Sequence, residues 1–353
     1  MAKDKLTIYG LDRTDEWDAL VRSFSSYDTY WLSGYVRAFK LHGDGEPLLV
    51  SFDGADGTRG INVVMLRDVA DDSRFADLIE HGRYFDLSSP YGYGGWLVEG
   101  EGADALFSAY ERWCRRAGII SEFVRFHPML KNHMVCEEFY DVVRLGEVVH
   151  MDLSSPEAIW ANMTSKNRNM VRKAKKSGVK VYNGRFPEAY RMFRSIYDAT
   201  MDKDHADQYY YFDDLFYDSI LEDLSQNAQV FWAELDGSPI AASIMLTCNG
   251  RMNYHLSGSM REYSSYAATN LILYEAALWG CANGCSTLYL GGGVGSGEDS
   301  LFKFKRSFYK GELNRFYIGK RVFLQDKYDE LLAMRANNNA AVLNSRFFPQ
   351  YRG

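Results

Sequence analysis

The chain has 353 residues, of which 46% are hydrophobic and 25% charged, and this composition is typical of a globular protein with two or three domains. Its formal net charge of −7 argues against a surface that is basic overall, so nucleic acid and acidic membranes are not expected partners of the whole molecule. The five cysteines form no Cys-x-x-Cys pair, so zinc and redox motifs are unsupported. Without an apolar leader or a run of about 18 apolar residues, we expect a cytoplasmic protein.

Hydrophobic spacing predicts the elements of the first half in chain order. A strand over residues 6–9 precedes an amphipathic helix over 14–24, with Thr14 as its N-cap, and a second helix covers 31–41. Two strands follow around a glycine-containing turn, and then come a loop, a helix that ends before Gly118 and a further strand. These last five predicted elements cover residues 47–52, 61–66, 88–95, 103–117 and 122–126.

The second half repeats this order, which predicts a duplicated α/β unit. Ser155 as N-cap and Pro156 at the first helical position indicate a new start, so we predict an N-terminal domain over 1–150 and a C-terminal domain over 151–353. A C-terminal helix is expected over 326–337. The predicted strands, helix and strand of the second half cover residues 230–235, 240–247, 251–257, 270–282 and 286–290.

The most informative segment follows the last of these strands. Residues 291–297 contain five glycines, and a basic-aromatic stretch with Lys303, Lys305, Arg306 and Lys310 comes next. Glycines permit close approach of a backbone to a ligand, and the cations suit an anionic one. A flexible turn followed by a solvated helix is the alternative.

A second basic segment lies between Glu157 and Glu188, where the chain has no acidic residue. Ser165 as N-cap and Gly178 after the end predict a helix of three turns. Cations in its first turn oppose the helix dipole, which suggests an anion to be bound there, although a solvated basic helix explains them equally. The cations are Lys166, Arg168, Arg172, Lys173, Lys175, Lys176, Lys180 and Arg185.

Common nucleotide, hydrolase and metal motifs are missing. The chain has no P-loop, no dinucleotide fingerprint and no Gly-x-Ser-x-Gly, and its seven histidines are dispersed, so a bound metal is not expected. Two basic segments in an acidic chain nevertheless fit a phosphate-bearing substrate such as coenzyme A, a nucleotide sugar or a tRNA acceptor end.

Residues 160–179 resemble the signature of the FemABX family of peptidoglycan-bridge aminoacyltransferases and their acetyltransferase relatives. The similarity rests on Trp160-x-Asn and Ser165-Lys-x-Arg-Asn-x-Val-Arg-Lys-Ala-x-Lys-x-Gly-Val. The stretch from Leu290-Gly-Gly-Gly through Leu301-Phe-Lys-Phe-Lys-Arg-x-Phe308 is similar to the family's second signature. The loop Ser89-Pro-Tyr-Gly-Tyr-Gly-Gly95 is similar to its N-terminal one.

The resemblance implies an α/β fold with mixed sheets in two tandem GNAT-like domains and acyl transfer to an amine. It implies aminoacyl-tRNA or acyl-CoA as co-substrate, with no tightly bound cofactor. The acceptor would be an amine of a cell-envelope precursor, a sugar nucleotide or a small metabolite. By the same resemblance the donor would meet Lys166, Arg168, Arg172, Gly291, Gly292, Gly293, Lys303 and Arg306. The acceptor side would be formed by Trp31, Tyr35, Tyr91, Tyr93, Lys203 and Tyr254.

Two departures from the pattern leave the substrates open. Around Lys203 an arginine would be expected for a UDP-linked muropeptide acceptor, and residues 261–269 lack the usual pyrophosphate loop of GNAT enzymes. For catalysis we expect Lys305 or backbone N–H groups at Gly291–Gly293 to stabilise an oxyanion, with His255, Asp299 or Glu298 as candidate bases. A substrate-assisted route and a non-catalytic tRNA or nucleotide-sugar binding module remain alternatives.

Overall fold

The computed structural model describes residues 4–338 and 347–353 and divides into two compact units. Unit 1 comprises Met1–Leu145 with Phe316–Gly353, and unit 2 comprises Gly146–Arg315. The first border lies near the predicted one at residue 150. The second differs from the predicted domains, because the C-terminal residues belong to unit 1.

The strands are β1 (Lys5–Tyr9), β2 (Glu46–Asp53), β3 (Arg59–Asp68), β4 (Phe85–Ser88), β5 (Leu97–Glu99), β6 (Ile119–Arg125), β7 (Asp141–Asp152), β8 (Lys180–Gly184), β9 (Ala228–Leu235), β10 (Ser238–Cys248), β11 (Arg251–Ser259), β12 (Thr287–Gly291) and β13 (Asn314–Val322). The helices are α1 (Thr14–Arg22), α2 (Ser33–His42), α3 (Asp104–Arg116), α4 (Pro156–Asn162), α5 (Ser165–Lys176), α6 (Pro187–Asp204), α7 (Asp214–Asp223), α8 (Ala268–Ala282), α9 (Ser300–Arg306) and α10 (Gln325–Asn338). Short 3-10 turns occur between them.

The sheet of unit 1 has the strand order β1-β2-β3-β4-β6-β13, with β5 paired to β3. Within it β4 and β6 run parallel, and the other pairs are antiparallel. Residues 318–322 of β13 pair with residues 125–121 of β6, which explains why the C-terminal segment joins unit 1. The core of this unit includes Trp96, Leu106 and Tyr110.

The sheet of unit 2 has the order β7-β12-β11-β10-β9-β8. Here β11 and β12 form the parallel pair, and the others are antiparallel. Apolar residues of α5 and α8, among them Val171 and Leu273, share one core with the sheet. Helix α6 packs directly on β11, since a Cβ added at Gly258 would lie 2.8 Å from the Ile196 carbonyl oxygen.

Most predicted elements are present, with borders shifted by a few residues. The N-cap of α4 is Ser155, as predicted, and Gly178 has the expected positive φ of 85° after α5. The N-cap of α5 is Thr164 rather than Ser165, because the Thr164 hydroxyl accepts a hydrogen bond from the Asn167 N–H. The strands β4, β5, β7, β8 and β13 and the helices α6 and α7 were not predicted. β7 mixes charged and apolar residues without a clear period of two.

Candidate functional site

The parallel strands β11 and β12 pair over only three residues. Residues 251–253 pair with 287–289, and beyond them β11 stays with β10 while β12 meets β7 at Gly291. The two strands therefore separate near their carboxyl ends. Edge backbone groups at such a separation can pair with a ligand, in the way that an added strand would.

A β-bulge lies where the separation starts. Ile244 pairs with Leu256 and Met245 with Tyr254, so His255 is an extra residue in β11. A bulge increases the twist and bends a strand, which explains why β11 leaves β12 directly after Asn253. The bulge thus creates the gap between the strands.

His255, one of the predicted bases, is poorly suited to that role. Its side chain is partly buried, and burial lowers the pKa of His255 to about 3. A base is most effective when its pKa lies near the working pH, so this imidazole is a weak proton acceptor at neutrality. Tyr254, predicted on the acceptor side, lies on the same strand and is partly buried. Burial raises the pKa of its phenol, against opposing hydrogen bonds with Ser257 and Ser243.

The glycines at the end of β12 are required by geometry. Gly291 has a φ of +82°, and a Cβ there would lie 3.3 Å from the Lys305 Nζ. A Cβ at Gly293 would lie 2.3 Å from the Gly297 carbonyl oxygen and 2.4 Å from Asp299 Oδ1. The two distances at Gly293 are too short for a side chain there, and at Gly291 the positive φ is what strains any other residue.

Lys305 is placed against this glycine segment by α9. Its side chain is mostly buried, with 9% of the residue surface exposed, and its Nζ donates a hydrogen bond to the Gly292 carbonyl oxygen at 2.7 Å. Burial lowers the pKa of Lys305 to about 8, and the nearby Asp299 carboxylate opposes this shift. The amine is therefore mainly protonated at pH 7 and close to its titration midpoint.

Asp299 is the N-cap of α9. Its Oδ1 accepts from the Phe302 N–H at 2.8 Å and its Oδ2 from the Val294 N–H at 2.9 Å. These backbone hydrogen bonds lower the pKa of the Asp299 carboxyl below its usual value. Both oxygens are thus engaged, and this carboxylate is a poor choice for a base.

The two other cations of α9 differ in their surroundings. Lys303 is exposed to solvent. The Arg306 guanidinium donates to the carbonyl oxygens of Tyr309, Gly311 and Lys310, and so closes the turn that follows the helix. Of this pair, Lys303 has the side chain that is open to a donor.

The basic helix α5 begins beside the end of α9. The Thr164 N–H donates to the Ser307 carbonyl oxygen at 2.9 Å, so the two basic segments found in the sequence meet. Lys166 in the first turn is exposed, whereas Arg168 donates to the Met163 carbonyl oxygen at 2.6 Å. Arg172 lies over the Trp160 ring, 5.0 Å from its centroid.

The sequence prediction missed a buried amide on α5. Asn167 is 1% exposed, and its Oδ1 accepts from the Asn270 Nδ2 at 2.7 Å. Its Nδ2 has no hydrogen-bond partner within residues 4–338 and 347–353. A signal existed in the sequence, because Asn167, Val171 and Ala174 recur at helical spacing and form the buried face of α5.

Asn270 belongs to the first turn of α8, which has an unusual start. Its N-cap residue, Ala267, has a φ of +56°, and no side chain caps the helix. The first N–H groups of an uncapped helix carry partial positive charge and attract anions. The buried amide of Asn167 lies against this turn, so several donors converge there.

The predicted acceptor residues of unit 1 form a packed cluster. Trp31 and Tyr35 are both 0% exposed; the Trp31 Nε1 donates to the Gly95 carbonyl oxygen and the Tyr35 hydroxyl to the Tyr91 carbonyl oxygen. Tyr93 is also buried. Trp31 and Tyr35 thus hold the loop 89–95 and are fully buried, and their acceptor role stays a prediction. Tyr91 is partly exposed.

Lys203, the remaining predicted acceptor residue, lies in the last turn of α6 and forms an ion pair with Asp204 at 3.3 Å. One group of side chains in unit 1 offers ligands to a metal, namely Asp68, Asp71 and His81, whose ligand atoms lie within 4.8 Å of one another. None of the predicted site residues belongs to this surface group. In the parts of the chain that the structure describes, every helix is too short or too polar to span a bilayer.

Part of the chain matches a known family. Residues 164–306 match the family described as an acetyltransferase (GNAT) domain. The match begins at the N-cap of α5 and ends with α9, so it spans the strand gap, the glycine segment and Lys305. No curated protein sequence matches the chain.

Solved structures share the fold of the whole chain. The crystal structure of FemX is 13% identical with a TM-score of 0.67, over 92% of this chain and 99% of that one. The C-terminal domain of a putative lysylphosphatidylglycerol synthetase from Agrobacterium fabrum is 13% identical with a TM-score of 0.55, over 91% and 96%. A conserved protein of unknown function from Bacteroides thetaiotaomicron is 10% identical with a TM-score of 0.58, over 90% and 99%.

These likenesses confirm two predictions. The chain has a FemX-like fold of two tandem GNAT-like domains, and its resemblance to the FemABX-like GNAT acyltransferases is confirmed. At such low identities the structural matches establish the fold and leave the substrates open.

Proposed function

We propose that this protein is an N-acyltransferase that moves an acyl or aminoacyl group from an activated carrier to an amine. The observation that carries the proposal is Lys305, a mostly buried ammonium fixed on the Gly292 carbonyl directly after the end of β12, the strand that separates from β11. An ammonium that is held in place and mostly shielded from water can stabilise a developing oxyanion by donating a hydrogen bond to it.

The proposed reaction follows from this placement. The acceptor amine attacks the acyl carbon, a C–N bond forms, and the carbonyl oxygen becomes an oxyanion that accepts a hydrogen bond from Lys305. The C–O or C–S bond to the carrier then breaks, and the amine proton leaves with the carrier hydroxyl or thiol. We propose no protein base, since His255 has a pKa of about 3 and both Asp299 oxygens accept backbone hydrogen bonds.

The carrier is proposed to be anionic, as either aminoacyl-tRNA or acyl-CoA. Its phosphate would meet the uncapped first turn of α8, with Lys166 nearby on α5. Lys303 is the exposed cation of α9 that could assist. For the acceptor we propose an amine of a cell-envelope precursor, a sugar nucleotide or a small metabolite, and a cytoplasmic location stays a prediction from the sequence.

The test is to incubate the purified protein separately with charged tRNA and with acetyl-CoA, each with a mixture of amine acceptors, and to follow donor loss and acceptor mass by mass spectrometry. We expect one donor to be consumed by the wild type and not by Lys305→Met. Salt-dependent tRNA binding without any transfer would instead support a non-catalytic binding module, for which the basic surface of α5 suffices.

A further inference from the structure

The loop between β12 and α9 is closed by one carboxylate. Asp299 accepts from the Phe302 N–H at the start of α9 and from the Val294 N–H early in the loop. Within the loop the Gly297 N–H donates to the Val294 carbonyl oxygen at 3.3 Å. The carboxylate therefore joins the beginning of the loop to the beginning of the helix.

Crowding around this carboxylate is uneven. A Cβ at Gly293 would overlap the Gly297 carbonyl oxygen at 2.3 Å and Asp299 Oδ1 at 2.4 Å, whereas a Cβ at Gly297 would find its nearest neighbour, the Val294 carbonyl oxygen, at 3.7 Å. An alanine at 293 must therefore displace both the loop backbone at Gly297 and the Asp299 carboxylate, whereas an alanine at 297 is accommodated. The chain offers a matched pair of variants in one loop.

The same loop and helix hold Lys305 at a second point. Six residues after Asp299 along α9, the Lys305 Nζ donates to the Gly292 carbonyl oxygen at 2.7 Å. We infer that Asp299 is a positioning residue for Lys305, which it serves by closing the loop so that the ammonium meets the end of β12. The expected effect of Asp299 on the transfer reaction rests on the proposed function. The expected effect of Asp299 on the position and titration of Lys305 does not depend on it.

The charge of Asp299 allows the inference to be tested separately, through the pKa of Lys305. The Asp299 carboxylate raises the pKa of Lys305 against the lowering by burial. The loop also carries Glu298, β12 carries Tyr289, α9 carries Lys303 and Arg306, and β7, which pairs with β12, carries Asp141, Arg144, Glu147, His150 and Asp152. Among these acids Glu298 is the matched control, because it is an exposed carboxylate next to Asp299 in the chain.

The experiment compares Asp299→Asn with Glu298→Gln in the full chain. The side chain of Lys305 is titrated by NMR after reductive ¹³C-methylation of the lysines, with Lys305→Arg used to assign the signal. We expect the titration midpoint of Lys305 to fall by about 0.5–1 pH unit in Asp299→Asn and to stay within about 0.2 units in Glu298→Gln. Equal midpoints in the two variants would overturn the inference.

Transfer kinetics and the glycine pair complete the test. Asp299→Asn and Gly293→Ala are each expected to lower kcat about tenfold with an unchanged donor KM, whereas Gly297→Ala keeps the wild-type kcat. A loss in donor KM alone, or equal effects of the two glycine variants, would overturn the inference. If Asp299→Asn does not fold, the Lys305 titration midpoints of Gly293→Ala and Gly297→Ala still test the inference. A shifted titration in a protein without any transfer activity would refute the proposed function and leave this inference standing.

Discussion

Each unit contains a parallel strand pair, β4 with β6 in unit 1 and β11 with β12 in unit 2, and the two pairs differ at their carboxyl ends. In unit 1 the chain leaving β4 stays on β6, because the Ser89 N–H donates to the Phe123 carbonyl oxygen and Gly94 pairs with Phe126. In unit 2 the strands β11 and β12 separate after Asn253. The strands of unit 1 thus stay bridged beyond their carboxyl ends, whereas those of unit 2 separate there, and the candidate site lies in unit 2.

In unit 1, side chains also hold the loop that follows β4 in place. The carbonyl oxygens of the loop 89–95 accept hydrogen bonds from Tyr35 at Tyr91, from Arg125 at Gly92 and from Asn132 at Gly94. In unit 2 the carbonyl oxygen of Gly292, directly after β12, accepts a hydrogen bond from Lys305, the only lysine among the buried residues of the described chain. The ends of the two parallel strand pairs thus meet different side chains, although both units share one fold.

The largest effect is expected at Lys305. Lys305→Met should lower kcat about 10²–10³-fold, because it removes the proposed oxyanion donor and leaves an apolar chain of similar length. The wild-type rate should fall above about pH 8, where the ammonium with its lowered pKa loses its proton. Lys5→Met, at an exposed lysine of β1 with no proposed role in the site, is the control, and steady-state rates from pH 6 to 9.5 measure both effects. Equal rates for wild type and Lys305→Met would contradict the proposed role.

The second effect concerns the stability of unit 1. Glu122 on β6 is buried and accepts hydrogen bonds from Tyr140, Asn62 and Tyr110. Burial raises the pKa of Glu122 to about 7, and these hydrogen bonds oppose the shift. The folded state then binds the Glu122 proton more tightly than the unfolded chain does. The free energy of unfolding should therefore fall by about 2–3 kcal/mol as the pH rises from about 4.5 to 7, and stay level above.

Glu122→Gln tests this, since an amide keeps the shape and cannot titrate. We expect the variant to lose the decrease between pH 5 and 7 in urea unfolding curves. Glu137→Gln, which changes an exposed carboxylate of the same unit, should behave as the wild type. A Glu122→Gln curve that retains the wild-type slope would place the titrating group elsewhere.

A smaller effect is expected at the first turn of α8. Asn167→Asp puts a carboxylate beside donors that we propose to bind the donor's phosphate, so the donor KM should rise about tenfold by like-charge repulsion. An acidic group near a helix N-terminus does not oppose the dipole, and the fold should persist. Asn169→Asp adds the same charge on the exposed face of α5, and a similar rise in both variants would mean a general charge effect.

The smallest effect is expected in the loop of unit 1. Tyr35→Phe removes the hydroxyl that donates to the Tyr91 carbonyl oxygen at 2.6 Å, at a cost of about 1 kcal/mol in unfolding free energy. Transfer kinetics should stay unchanged if this loop only fills the strand end. A higher acceptor KM without loss of stability would instead support the acceptor role that the sequence predicted. Tyr209→Phe, at an exposed tyrosine, is the control.

The sequence predicted the elements with clear periodicity or caps. Ser155 with Pro156 and the glycine after α5 follow local rules that a short window contains. The strand β13 was missed because it gains its partner β6 from almost 200 residues earlier, and such long-range pairing leaves little local signal. For the same reason the C-terminal segment was expected in the wrong half of the chain.

The candidate site was predictable in part. The glycines and Lys305 stood out by composition, whereas the contacts of Asp299 with Val294 and Phe302 depend on loop geometry that spacing does not determine. The sequence also did not show how deeply each candidate side chain is buried. Tyr35 and Trp31 are aromatic residues near a glycine-rich loop, and only the packed structure distinguishes a ligand contact from a core contact there.

The bulge at His255 has a consequence for the proposed site. The two units differ at their strand ends by features as small as one inserted residue in β11. Removing His255 would restore an unbroken ladder with β10, and we expect the straightened strand to continue along β12 and close the gap. On the proposed function, one inserted or deleted residue in β11 would therefore be enough to close the proposed site while Lys305 itself stayed in place.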